Sequence, residues 1–276
     1  MSRGHLPDGW SQSEGLHLDP QTARSERPLT LVLAGAGVAP QVLAPALRGT
    51  GFERTRAVFV DYLAGEGPFD VVGMADALAA QLAPRRAGSF LVGHSLGGAV
   101  ALLVAAHLES SLSGLVVSDT GLNAAGHKDP GLPERLRNDW TAEHRVSFKQ
   151  SWTARPPDPG IDSALTTYLE AVDPHPLATS VESLRRVSLD EEAPKITAPT
   201  AVLHGVHDRR RSLDDARGIT QAVPASSLFL FDCGHTPLIE RPEEVRAVLN
   251  GLGWLPSPFA PSPRPESRGT DVAREP

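Results

Sequence analysis

The octapeptide LVGHSLGG, Leu91 to Gly98, sets a serine between glycines at the spacing G-x-S-x-G. The apolar run SFLVG leads into it and the Ala/Leu-rich AVALLVAAHLES leaves it, which is the strand-turn-helix context the motif requires. So tight a turn needs small neighbours, and the glycines supply them. Ser95 is thereby presented at the C-terminal edge of a sheet, beside the first N–H groups and the positive dipole end of a helix. A serine in that position is placed for nucleophilic, covalent chemistry. A structural serine in a Gly-Ser turn is the plain alternative.

A second glycine turn, Gly35-Ala36-Gly37, follows the apolar run LTLVLA. It fits two chemistries. One is the phosphate cradle of a dinucleotide site, with Asp61 at the end of RAVFV placed for ribose hydroxyls. The other is a set of backbone donors held close to a substrate oxygen. Against the first, Pro40 stands where that fingerprint asks for Gly or Ala. Nor does Tyr62 or Tyr168 begin a Tyr-x-x-x-Lys pair, since Glu66 and Val172 occupy that spacing.

The elements that must position these turns alternate along the chain. LTLVLA, RAVFV, SFLVG and SGLVVSD read as strands without polar alternation, separated by the helix-like PQVLAPALRGT, VVGMADALAAQLA and the run after Ser95. Such strands belong to a mostly parallel sheet flanked by helices on both faces, an α/β fold. After Asp119 the alternation stops, and PERLRNDWTAEHRVSFKQSW, IDSALTTYLEAV and LATSVESLRRVSL predict an inserted helical cap at about 121–193. Strands return at PTAVLHG and SSLFLFD. Residues 1–27 and the Pro-rich 256–276 read as mobile tails around a domain at 28–255.

The 276 residues, 40% of them hydrophobic, suffice for one principal domain. A formal net charge of -7 without a long basic run argues against nucleic acid and anionic membrane surfaces as partners, leaving a small-molecule substrate. The single cysteine, Cys233, excludes an intrachain disulfide and a thiol cluster for zinc. With no signal-peptide h-region and no apolar span, the expected location is the cytoplasm.

On the elbow around Ser95, the chain resembles the α/β-hydrolase fold superfamily from about Leu29 to Leu255. The resemblance implies a triad in the order serine, acid, histidine. Asp208, after AVLHGVH, and His235, in FDCGHTPLIERPEE, stand where that family places its acid and base; Asp119 is the rival acid. It also implies an oxyanion hole from the N–H groups of Ala36 and Leu96, which accounts for Gly35 and Gly37 without a phosphate. The implied function is a serine hydrolase acting on a small carboxylic ester, lactone or thioester, with no cofactor and no metal. Carbon–carbon bond hydrolysis, hydroxynitrile-lyase chemistry and ligand binding without turnover are the alternatives on the same scaffold.

Some residues depart from the family pattern or stand outside it. Ala34-Gly35 replaces the usual His-Gly, and no antiparallel hairpin precedes Leu29. Arg209-Arg210-Arg211 reads as a solvated helix start, with attraction of an acidic substrate or carrier as the functional alternative. His204 and His207 do not converge as helix i, i+4 ligands do, and Cys233 is expected to pack as a small apolar residue. Trp140, Phe148, Trp152 and Tyr168 either wall a pocket or pack the cap on the core.

Overall fold

A computed structural model describes residues 6–23, 25–83, 88–108, 112–124 and 129–254. The C-terminal stretch read as a tail, 256–276, lies outside them. The strands are β1 (Ser11–Glu14), β2 (Leu29–Leu33), β3 (Arg56–Asp61), β4 (Ser89–His94), β5 (Leu112–Ser118), β6 (Thr200–Gly205) and β7 (Ser226–Phe231). They form one sheet in the order β1-β3-β2-β4-β5-β6-β7, every neighbouring pair parallel. All residues of β2, β4 and β6 are buried, as expected of strands covered on both faces.

The helices are α1 (Pro20–Ala23), α2 (Ala44–Leu47), α3 (Val71–Leu82), α4 (Leu96–Leu108), α5 (Leu132–Asn138), α6 (Ala142–Gln150), α7 (Pro159–Ala171), α8 (Pro174–Leu184), α9 (Leu213–Ala222), α10 (Pro237–Glu240) and α11 (Pro242–Gly251). α4 is apolar almost all round, and every residue but His107 is buried. A helix of that kind can only belong to a core. None of the described helices is long and apolar enough to cross a membrane.

Within 1–27, expected to be a tail, the described residues Ser11–Glu14 form an edge strand. β1 pairs in register with Val58–Asp61, and Trp10, Leu16 and Leu18 are buried, with the Trp10 ring 5.5 Å from that of Phe59. The strand itself, Ser-Gln-Ser-Glu, alternates half-buried and exposed. Its main chain and flanking apolar residues hold it in place, which a polar tetrapeptide does not advertise. The sheet therefore gains a parallel edge strand where no hairpin was found.

Between β5 and β6 stand α5 to α8. The run 133–152 forms two helices, because Asp139 leaves helical geometry at φ -141, ψ 52 and Thr141 restarts it as an N-cap, its hydroxyl accepting from the His144 N–H. The two ends of the insertion meet in a bridge between Asn123 and Ser188, with the Leu189 N–H 2.7 Å from the Leu122 carbonyl. The cap thus leaves and re-enters the sheet at one place. Because all strands run the same way, the loops after β2, β4, β6 and β7 open on one edge of the sheet, where α/β folds bind their ligands.

Candidate active site

Ser95 follows β4 at φ 52, a left-handed conformation uncommon for a residue with a side chain. Its N–H donates to the Ser118 carbonyl at 2.8 Å, and its own carbonyl accepts from Gly98 and Ala99. The turn is so close to β2 that a Cβ on Gly97 would fall 2.3 Å from the Leu33 carbonyl oxygen. Only glycine fits there, so the motif's second glycine is a packing requirement.

From the loop after β7, His235 brings Nε2 to 2.9 Å from Ser95 Oγ and Nδ1 to 2.7 Å from Asp208 Oδ2. The neutral ring that donates from Nδ1 to the carboxylate leaves Nε2 free to accept the serine proton. Asp208 Oδ1 accepts the N–H groups of Arg210 at 2.7 Å and Arg211 at 3.1 Å, which locks the carboxylate toward the imidazole. Burial works against the charge of Asp208, but His235 and those two N–H groups outweigh it and hold the carboxyl at about 2. Burial lowers His235 below the ordinary imidazole value, and the facing carboxylate only partly offsets this. At neutral pH the pair is a carboxylate beside a neutral base.

Asp119 does not reach His235. Its Oδ2 accepts the Ser118 hydroxyl at 2.6 Å and its Oδ1 the Gly205 N–H at 2.9 Å. Buried and next to the Asp208 charge, its carboxyl is pushed well above the usual range. Asp119, His204 and Asp208 do offer ligand-type atoms within 4.8 Å of one another. Both carboxylates are already committed to protein donors, however, and His207 points elsewhere, its Nε2 2.8 Å from exposed Asp232.

The turn after β2 closes with the Val38 N–H on the Gly35 carbonyl at 3.0 Å, and Gly37, at the turn's third position, has φ 72. That sign of φ is the one glycine takes without strain. Neither the Ala36 nor the Leu96 N–H donates to a protein acceptor among the described residues. Asp61 is occupied, accepting the Tyr168 hydroxyl at 2.6 Å and the Gln12 amide at 3.2 Å. It ties the cap to the core and is not offered to a ribose.

The cap aromatics combine both expected roles. Trp140, Phe148 and Trp152 pack edge to face, with centroids 5.9 and 5.2 Å apart. A Cβ on Gly37 would lie 3.0 Å from Phe148 Cε1 and 3.1 Å from Leu169 Cδ2, so the cap rests on the glycine turn itself. Ser95 and Ala36 stay half-exposed beneath it.

Two features were not legible beforehand. His94, inside the elbow, is buried and held at about 3 by burial, so it is neutral and donates from Nε2 to the His235 carbonyl at 2.9 Å. The arginine run is not a solvated helix start: only Arg209 is exposed. Arg211 is buried and donates to the Asn123 carbonyl at 2.7 Å, while Arg210 reaches the Ser151 hydroxyl of the cap. The two side chains find acceptors in the insertion, which no local pattern reveals. Cys233 is buried, and burial pushes its thiol up, as befits packing.

A sequence profile of the alpha/beta hydrolase family matches residues 4–248. A pyrrolizixenacetamide deacetylase from Xenorhabdus hominickii is 24% identical over 186 residues, 64% of this chain and 70% of that protein. A pimeloyl-[acyl-carrier protein] methyl ester esterase from Vibrio vulnificus is 30% identical over 175 residues, 58% of this chain and 68% of that one. Among solved structures, an enol-lactonase from Burkholderia xenovorans LB400 superposes with a TM-score of 0.67 at 19% identity, covering 82% of this chain and 91% of that one. With its parallel sheet and a profile match over most of its length, the chain belongs to the alpha/beta hydrolase family.

Proposed function

We propose that the protein is a serine hydrolase that cleaves small carboxylic esters, lactones and thioesters included, through an acyl-enzyme on Ser95. The observation that carries this reading is the unbroken hydrogen-bonded series Ser95–His235–Asp208, with two unengaged N–H groups beside the serine. Ser95 Oγ attacks the carbonyl carbon while its proton passes to His235 Nε2. The N–H groups of Ala36 and Leu96 hold the oxyanion of the tetrahedral intermediate. Collapse breaks the bond to the leaving oxygen or sulfur, which takes the proton from His235. Water, deprotonated by the same imidazole, then attacks the acyl carbon and frees the acid and Ser95. Asp208 keeps the ring in its productive tautomer and stabilises the imidazolium.

The test is intact-protein mass after exposure to a fluorophosphonate probe. One adduct on the wild type, absent from Ser95→Ala and slowed in His235→Ala, is the expected result. No adduct on the folded wild type would overturn the reading in favour of ligand binding without turnover.

A further inference from the structure

Arg210 belongs to the acid loop but serves neither His235 nor the sheet with its side chain. Its main-chain N–H supports Asp208, while the guanidinium crosses to the cap. There Nε donates to Ser151 Oγ at 3.1 Å, Nη2 bonds the same oxygen, and Cζ stands 5.0 Å from the centre of the Phe148 ring. Phe148 is the ring whose Cε1 presses on Gly37 of the oxyanion turn. The guanidinium therefore lies where the cap, the acid loop and the oxyanion turn come together.

Its partners do not account for its charge. Among the described residues no carboxylate lies within 4.0 Å of it, and Nη1 donates no hydrogen bond. Neighbouring Arg211, by contrast, has Asp215 at 3.7 Å. Burial lowers the Arg210 guanidinium to about 10, which still leaves it protonated at neutral pH. Asp208 and Asp129 favour its charge from beyond 4.0 Å, without outweighing the burial that lowers it, so its forked donors are left without a directly paired carboxylate, the planar group they match best.

We propose that Arg210 binds an acidic group of the substrate, so that the enzyme prefers esters carrying a free carboxylate to neutral esters of the same size. This rests on the ester-hydrolase reading above. The carboxylate can sit on either side of the scissile bond: on the acyl part, as in monomethyl succinate, or on the alcohol part, as in acetoxyacetate.

The experiment compares kcat/KM for monomethyl succinate against dimethyl succinate, and for acetoxyacetate against methyl acetoxyacetate. It uses the full chain and its Arg210→Gln, Arg210→Lys and Arg209→Gln variants. In the wild type at least one anionic ester should be favoured by on the order of tenfold to a hundredfold, the range for a hydrogen bond to a charged group; the favoured pair identifies the side. Arg210→Gln should bring that ratio close to one, Arg210→Lys should keep part of it, and Arg209→Gln should leave it as it was. Equal loss on the anionic and neutral esters in Arg210→Gln would mean that the residue only fastens the cap, and would overturn the proposal. So would a wild type without preference.

If no ester of either kind turns over, the hydrolase reading fails by itself, and succinate becomes the probe for Arg210. A rise in Tm with succinate that disappears in Arg210→Gln would uphold anion binding. No rise in the wild type would end it.

Discussion

At the residue scale the two acids behave as opposites within one buried pocket. Asp208 is held ionised because an imidazole and two main-chain donors face it, whereas burial and the neighbouring Asp208 charge push the Asp119 carboxyl well above the usual carboxylate range. Asp208→Asn should therefore lower kcat by roughly three to four orders of magnitude, since the amide favours the wrong tautomer of His235. Asp119→Asn, at a carboxyl that bonds Ser118 and Gly205 rather than His235, should cost far less. A larger loss in Asp119→Asn would make it the working acid. The base carries its own pH signature. Because burial depresses His235, kcat/KM on a neutral ester should be level above pH about 6.5 and fall only below it. A plateau that begins above that value would show an imidazole raised rather than lowered. Ser95 was legible in the sequence because its turn imposes close backbone approaches, and these demand glycine at fixed spacing. Arg210 was not, because Ser151 and Phe148 are brought to it only by the folded insertion.

Among the elements, the cap bears on the chemistry through two contacts of different kind. Phe148 and Leu169 cover Gly37, an apolar contact that any displacement of α6 or α7 would transmit to the glycine turn after β2. Tyr168 of α7 donates to Asp61 at the end of β3, a polar tie inside a setting that raises the carboxyl through burial. Tyr168→Phe removes the donor and leaves the Asp61 oxygen with one partner fewer. The expected cost is about 1–3 kcal/mol of stability, read as a lower midpoint in urea, and a fall in kcat/KM as the cap loosens. An unchanged midpoint would show that water replaces the hydroxyl without loss. The helices of the cap were readable from their periodicity, but the break between α5 and α6 was not. It depends on Thr141 capping a new helix rather than on any proline or glycine. β1 was missed for a related reason: at an edge, main-chain pairing with β3 suffices, and the side chains need no apolar pattern.

For the whole molecule, three histidines, His94, His204 and His235, lie buried with burial lowering each. In the unfolded chain an imidazole titrates near about 6.5, so below that pH the unfolded state holds protons that the folded state refuses. Stability contributed by each neutral ring is therefore complete above about 6.5 and drains away as pH falls toward the folded value. The raised carboxyls of Asp61 and Asp119 act in the opposite sense, since the folded state holds their protons more tightly than the unfolded one. The depressed Asp208 adds to the acid loss only once pH drops below the ordinary carboxylate value of about 3.9. His94 can be separated from these by difference. With a folded value of about 3, it should account for on the order of 2 kcal/mol of the stability lost between pH 7 and pH 5. His94→Gln has no titrating ring, so its unfolding free energy should decline less steeply over that interval than the wild type's, whatever its stability at pH 7. Parallel declines in the two proteins would mean that His94 takes up its proton in the fold. Since its Nε2 donates to the His235 carbonyl, such a proton would bring a second positive charge 5.0 Å from the ring of the base, centre to centre. The neutral His94 thus keeps the electrostatics of the Ser95–His235–Asp208 series and the acid response of the fold tied to one burial.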